Sequence, residues 1–301
     1  MIDPDETFDG TWPFAPNFYE GNGFRQHYVD EGDGNPIVCI HGEPTWGYLY
    51  REFIPRLVRQ GRVVVPDHMG FGKSETPQDR SYSTREHAEN IERLLVEHLD
   101  LTNITLVLQD WGGSIGSAFA LRNPDRVDRI CVCNTILMGS RPDVSPSPVD
   151  YPWVNWVQTD QYEPTIRNLG ATVLSVMKRM GFERSAHIDE TWIRAYSAPF
   201  PTAEDCRGAY QFPRNITAPE TAEFMLETLE AAGGTEVLAS MHAIGIFGED
   251  DRAIPTGYAE ASFRGIYPHS PVVRLPGVGH FLQEDAPEAV ASMIELFIQS
   301  T

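Results

Sequence analysis

Short apolar runs, rich in β-branched residues and lacking polar interruptions, recur along the chain and alternate with stretches in which apolar residues return every three or four positions. The runs are "PIVCIHG" from Pro36, "RVVVPD" from Arg62, "ITLVLQD" from Ile104, "RICVCNT" from Arg129, "HAIGIFGED" from His242 and "PVVRLPG" from Pro271. Continuous apolar runs of this length read as strands buried on both faces, which is the habit of a parallel sheet covered by helices. The intervening stretches predict those helices. "STREHAENIERLLVEHL" opens with Ser83 and Glu86 at capping-box spacing and repeats Ala88, Ile91, Leu95 and Leu99 on one face. Near the end, Val290, Met293, Ile294, Phe297 and Ile298 keep the same period and predict a helix packed on the sheet. An earlier segment around "FRQHYVDEG" reads as an antiparallel lead-in. The fold class is therefore α/β, a mostly parallel sheet flanked by helices.

The alternation stops between about Ser140 and Thr235. "GSRPDVSPSPVDYPW" is a Pro/Ser-rich linker, and an irregular, helical, aromatic-containing segment follows it before strand character returns at His242. An interruption of this size inside one sheet predicts a second, smaller unit. The expected division is a core of residues 1–139 and 236–301, with an inserted helical cap of residues 140–235.

Composition narrows the class. The chain has 301 residues, 41% of them hydrophobic, enough for a packed interior. No apolar run approaches membrane-spanning length. "MIDPDETFDGTW" lacks the basic and apolar regions of a secretory signal, so a cytoplasmic location is expected. Cys39, Cys131, Cys133 and Cys206 show no metal-ligand spacing and read as buried thiols. The histidines His87, His98, His187, His242 and His269 do not cluster, and neither metal nor cofactor is expected. The net charge of −20 argues against nucleic acid or an anionic membrane as partner. Lys73 and Lys178 are the only lysines among 23 basic residues. An acidic, lysine-poor surface of this kind is expected of a high-salt habitat, or of an arginine-favouring genome.

In an open α/β sheet, ligands bind beyond the carboxyl ends of the strands. The polar residues that follow the runs there are Asp110, then Asp250 and Asp251, then His280. That chain order matches the nucleophile, acid and base of a hydrolase in which aspartate stands at the nucleophile elbow. In "LVLQDWGGSIG" an ionised carboxylate would need no base before attacking a saturated carbon. His280, oriented by Asp251 or Asp250, would then activate water against the resulting ester. The loop "HGEPTW" would supply one oxyanion-hole N–H from Glu43, and Trp111 would supply the other. The indole N–H of Trp111 is a donor with no acceptor of its own, suited to a departing halide. His41 is expected to shape the oxyanion loop, and Pro44 is a candidate for a cis linkage. "DHMGFGKSE" is Gly-rich but lacks the order of a phosphate-binding loop.

"HGEPTWGYLYR", "VLQDWGG", "AYSAPFP" and "GVGHFLQED" together resemble the haloalkane dehalogenases, over nearly the whole chain. The resemblance implies an α/β-hydrolase fold with Asp110 as nucleophile, His280 as base and Trp111 as one of two halide donors. The substrate is then a small halogenated organic molecule, with water as co-reactant and halide as product. In one branch of that family the acid follows the strand that here reads "RICVCNT", where this chain carries Asn134. The acid is then expected from "FGEDDRAIP", with Asp251 preferred to Asp250. The same branch takes its second halide donor from the cap, for which Trp156 is preferred, with Trp153 one turn away as the alternative and Trp192 a weaker one. The rival enzyme reading is an epoxide hydrolase using cap tyrosines, for which Tyr151, Tyr162, Tyr196 and Tyr210 are available. The third reading is a non-catalytic binder of a small ligand.

Overall fold

The structure, a computed structural model, describes residues 2–301. Among the described residues, eight strands form one sheet in the order β1-β2-β4-β3-β5-β6-β7-β8. They are β1 (Asn17–Tyr19), β2 (Gln26–Glu31), β3 (Pro36–Ile40), β4 (Arg62–Pro66), β5 (Ile104–Gln109), β6 (Val127–Cys133), β7 (His242–Gly248) and β8 (Val272–Leu275). The lead-in is antiparallel, as β2 pairs with β1 and β4, and every pairing from β4 through β8 is parallel. In the middle of the sheet Cys39, Val107, Cys131 and Ile244 stand in one row across β3, β5, β6 and β7. Helices cover both faces, so strands buried on both sides carry the unbroken apolar runs seen in the sequence. The four cysteines are free and buried, and burial pushes the Cys133 thiol up to about 12. They are packing residues.

Beside the sheet, Ser83 caps the helix Thr84–Glu92 by accepting from the Glu86 amide at 3.2 Å. The reciprocal half of the box is displaced. The Glu86 carboxylate accepts instead from the Tyr82 amide at 2.9 Å and the Ser81 amide at 3.1 Å, so it braces the entering loop. The last helix, Pro287–Ser300, buries Val290, Ile294 and Phe297 as its period requires. Between β6 and β7 the chain forms only helices and loops, from Pro152–Val157 through the long helix Pro219–Ala232 to the short turn Glu236–Ala239.

A buried carboxylate ties this helical segment to the loop after β8. Glu284 receives Arg51 through two bonds, at 2.5 and 2.9 Å, the indole N–H of Trp192 at 3.1 Å and the hydroxyl of Tyr196. His187 Nε2 lies 3.0 Å from it. Burial alone would raise this carboxyl group, but the Arg51 guanidinium overrides burial and holds it well below the usual range. Next to it, Asp285 accepts from the amides of Glu183, Arg184 and Gly279. Trp192 is thus part of this clamp. No helix among the described residues is long and apolar enough to cross a membrane.

Candidate active site

The site forms where β3 and β5 lie side by side, the point from which the parallel sheet extends in both directions. β5 ends at Gln109, and a single residue, Asp110, separates it from the helix Trp111–Arg122. That helix is buried on nearly every face, so it cannot shift to relax the turn. The chain reverses entirely at Asp110, whose backbone adopts φ 50° and ψ −126°. A non-glycine residue in this region costs on the order of 1–3 kcal/mol and persists only where its surroundings impose it. Three contacts impose it here. The Thr135 hydroxyl and the Gly113 amide both donate to the Asp110 carbonyl, and the Asp110 amide donates to Asn134. Gly112 must lack a side chain, because a Cβ there would stand 2.2 Å from the Ile40 carbonyl oxygen.

The sharp turn projects the Asp110 carboxylate out of the sheet. Its Oδ1 accepts from the Glu43 amide at 2.8 Å, and its Oδ2 lies 3.2 Å from His280 Nε2. His280 Nδ1 lies 2.9 Å from Asp251 Oδ2. Asp251 is itself fixed, because its Oδ1 accepts from the amides of Ala253 and Ile254 at 2.7 and 2.9 Å. Asp251 is buried, whereas Asp250 is exposed and uses its amide to reach Val278. Of the two acids the sequence left open, the one brought to His280 is Asp251. The His280 side chain is fully buried, and Asp110 keeps 10% of its side chain exposed, enough to reach the cavity above.

The electrostatics differ from the neutral imidazole that a reference histidine would give near pH 7. Burial alone would lower His280, but the charges of Asp251 and Asp110, with their hydrogen bonds, push it up to about 10. That direction favours a protonated imidazole between Asp110 and Asp251 in the resting triad. Glu43 behaves oppositely. Its side chain is 3% exposed, and burial together with the charge of Asp110 raises its carboxyl well above the usual range, so it is a neutral acid. Its Oε1 has no hydrogen-bond partner. In the sequence Glu43 stood out as an oxyanion-loop N–H donor and as a marker of the resembled branch, not as a buried neutral acid.

The oxyanion loop rests on neutral histidines. His41 Nδ1 is 2.9 Å from the Gly42 carbonyl, and its Nε2 accepts from the His68 amide at 3.0 Å, which fixes one tautomer. Burial pushes His41, His68 and His87 down, so all three stay uncharged. The Glu43–Pro44 bond is cis. Asp67 organises the Gly-rich loop as a structural hub, accepting from the amides of Gly47 and Lys73 and lying 2.8 Å from His27 Nδ1. Lys73 Nζ is spent on the carbonyls of Pro4 and Glu6.

A cavity of about 450 Å³ opens over Asp110. Trp111, Leu137, Ile216, Met225 and Ile254 make most of its wall apolar. Trp111 stacks on Phe212 at 5.4 Å and its indole N–H makes no hydrogen bond. The Trp111 amide does not bond Asp110 in this structure, so Glu43 supplies the one backbone donor already in place. Trp153 lines the cavity, but its N–H is committed to the Ala253 carbonyl at 2.6 Å. Trp156 does not line it. That ring packs edge-on against Tyr162 at 5.1 Å, with the Arg179 guanidinium 5.3 Å away, beside a void of about 20 Å³ shared with Glu43. One helical turn separates the two tryptophans, and the helix Pro152–Val157 presents only Trp153 to the larger cavity.

None of the four cap tyrosines lines the Asp110 cavity. Their hydroxyls donate elsewhere: Tyr151 to the Asp251 carbonyl, Tyr162 to the carbonyls of Ala209 and Tyr210, Tyr196 to Glu284 and Tyr210 to Glu163. No group among the described residues has the composition to hold a metal ion.

Three residues hold the triad in roles the sequence did not indicate, Asn134 being legible there only as the place of a missing acid and Gln109 only as part of the elbow motif. The Gln109 amide N–H is 3.2 Å from His280 Nε2 and donates to the His280 carbonyl at 3.4 Å. Asn134 donates to the carbonyls of Gly279 and His280 and accepts from the Gly248 amide, stitching β6 to the loops after β7 and β8. Thr135 holds the elbow. Their one signal is position, since each stands at or just past the carboxyl end of a strand.

With a strained carboxylate elbow, a histidine–acid pair and a mostly parallel sheet in place, the class of protein follows. The chain belongs to the α/β-hydrolase fold family, whose model matches residues 35–287, and within it to the haloalkane dehalogenase family. It is 34% identical to the haloalkane dehalogenase of Psychrobacter cryohalolentis, over 98% of this chain and 94% of that one. The solved tetrameric structure of a haloalkane dehalogenase from Paraglaciecola agarilytica superposes with a TM-score of 0.79 at 30% identity, covering 97% of this chain and 96% of that one. A cis-3-alkyl-4-alkyloxetan-2-one decarboxylase of Shewanella oneidensis is also similar, at 30% identity over 97% of this chain and 91% of the relative.

Proposed function

We propose that this enzyme hydrolyses halogenated alkanes to an alcohol and a halide through a covalent ester on Asp110. Asp110 Oδ2 attacks the halogen-bearing carbon, and the carbon–halogen electron pair leaves with the halide. A water oxygen then adds to the Asp110 carboxyl carbon, with one water proton passing to His280. The alkyl oxygen departs from Asp110 as the alcohol, taking the second water proton, and the carboxylate is regenerated carrying an oxygen from water. The sum is one alkyl halide and one water giving alcohol, halide and a proton.

The observation that carries this reading is the Asp110 carboxylate itself, turned into an apolar cavity by a strained elbow. The Glu43 amide on Oδ1 stands where charge develops when water attacks the ester, and Trp111 is the second oxyanion donor once the carboxyl becomes tetrahedral. His280 gains its role as base from the first step. Alkylation neutralises Asp110, one of the two charges that keep the imidazolium protonated, so the proton is released when a base is needed. The free indole N–H of Trp111 meets the departing halide. Trp156 faces the separate small void beside Glu43, so Trp111 is the halide donor of this reading. The residues of the helical insertion that line the cavity support reading 140–235 as a cap over the core.

The oxetanone decarboxylase relative favours a second reading, in which the same carboxylate acts on a four-membered lactone. One experiment separates them. Purified enzyme and Asp110→Ala are given 1-bromobutane, a cis-dialkyl oxetan-2-one and a terminal epoxide, and bromide, alkene and diol are measured. Bromide released by the wild type and lost in Asp110→Ala supports dehalogenation. Alkene or diol without bromide replaces it, and no product at all supports the non-catalytic binder.

A further inference from the structure

We infer that the Asp110 cavity takes halogenated substrates bearing a carboxylate at the end remote from the halogen, and that Arg141 recognises that carboxylate. The inference rests on the dehalogenation reading and names its substrate class. The cavity lining contains two charged residues, Asp110 and Arg141. In a protein of net charge −20, most arginines pair with carboxylates, among them Arg51 with Glu284, Arg62 with Asp30 and Arg252 with Glu183, and those that do not, such as Arg179 and Arg207, lie outside this cavity. Arg141 is exposed and makes no ion pair, hydrogen bond or ring contact. A cation left unpaired among so many acids, and set in the wall of the reaction cavity, is available to a ligand.

The rest of the lining fits an amphiphile. Leu137, Ile216 and Met225 give a methylene chain an apolar path, with Asp110 for the halogen-bearing carbon and Arg141 for a terminal anion. Two further hydroxyls, those of Ser140 and Ser147, line the same cavity. Ser147 donates to Asp150 at 2.9 Å, whereas Ser140 Oγ has no partner and can add a bond to the same carboxylate. A guanidinium matches a carboxylate through two parallel N–H donors, a geometry that lysine lacks. Because Arg141 is exposed, the carboxylate keeps much of its hydration. The gain is therefore that of a wet ion pair, modest in size and expressed in binding. The neutral halogen end, next to Asp110, meets no like charge.

The test compares bromide release from 6-bromohexanoate and from 1-bromohexane by the wild type, Arg141→Gln and Arg141→Lys. Arg141→Gln is expected to raise KM for 6-bromohexanoate about three- to fivefold, the scale of an exposed ion pair, without changing kcat or either constant for 1-bromohexane. Arg141→Lys retains part of the effect. Equal shifts for both substrates, or none for either, overturn the inference while leaving dehalogenation intact. If neither substrate yields bromide, the dehalogenation reading fails separately. Calorimetric binding of hexanoate then decides Arg141 alone: weaker binding to Arg141→Gln supports it, and equal binding overturns it.

Discussion

Replacing Gly42 by alanine tests how closely the nucleophile depends on its oxyanion loop. A Cβ at residue 42 would stand 2.1 Å from Asp110 Oδ1, 2.5 Å from its Cβ and 2.6 Å from its Cγ. Real Cβ atoms essentially never approach a neighbour within 3.0 Å, so one side must move by at least the difference, about 0.9 Å. If the carboxylate moves, Oδ1 leaves the Glu43 amide that now holds it at 2.8 Å. If the loop withdraws, it takes the same amide away. Either route separates the nucleophile from its donor. A misplacement of about 1 Å costs on the order of 100-fold in rate, equivalent to about 2.7 kcal/mol. Overpacking of this kind costs ~1–3 kcal/mol in stability, so the variant should fold with a melting temperature lowered by a few degrees. The assay is kcat/KM for bromide release from 1-bromobutane, with thermal unfolding as the control for folding. A folded Gly42→Ala that works within threefold of the wild type would refute the proposed dependence.

Further outcomes are expected at His280, Glu284 and the two tryptophans Trp111 and Trp156. Because His280 is raised to about 10, its stabilising contribution is complete below about pH 6.5 and lost as pH rises through 10, so the melting temperature should decline over that window. In kinetics, the bromide burst should stay level while ester hydrolysis slows at low pH, and His280→Phe should accumulate an alkylated protein visible as a mass shift. A burst with the same pH profile as hydrolysis counts against a base created by alkylation. Glu284→Gln leaves the half-buried Arg51 with only the exposed Glu52 carboxylate, 3.9 Å away, and should cost ~3–5 kcal/mol in urea unfolding. Since Glu284 is depressed, its contribution is present above about pH 4.5 and lost as pH falls through the folded value; an unchanged urea midpoint at pH 7 would exclude the clamp. Trp111→Phe should lower kcat/KM for 1-bromobutane by ~100- to 1000-fold, whereas Trp156→Phe, outside the Asp110 cavity, should lower it far less. Comparable losses would return Trp156 to the halide site.

The sequence alone determined what periodicity and strand order can encode. Unbroken apolar runs mean strands buried on both faces, and the carboxyl end of each run is where a parallel sheet gathers its chemistry. Asp110, Asp251 and His280 were therefore legible as residues that follow strands. The contrast between Asp250 and Asp251 was not, because adjacent residues share a sequence environment and only the turn decides which one faces His280. Trp153 and Trp156 posed the same problem, since one helical turn puts both on a face without saying which cavity that face meets. Charge states were also tertiary. The raised His280 and the neutral Glu43 arise from burial and from carboxylates brought close by folding, distances that no linear spacing contains. Gln109, Asn134 and Thr135, which hold the triad from neighbouring strands, are ordinary residues in the sequence, and only strand pairing makes them neighbours of the reacting groups.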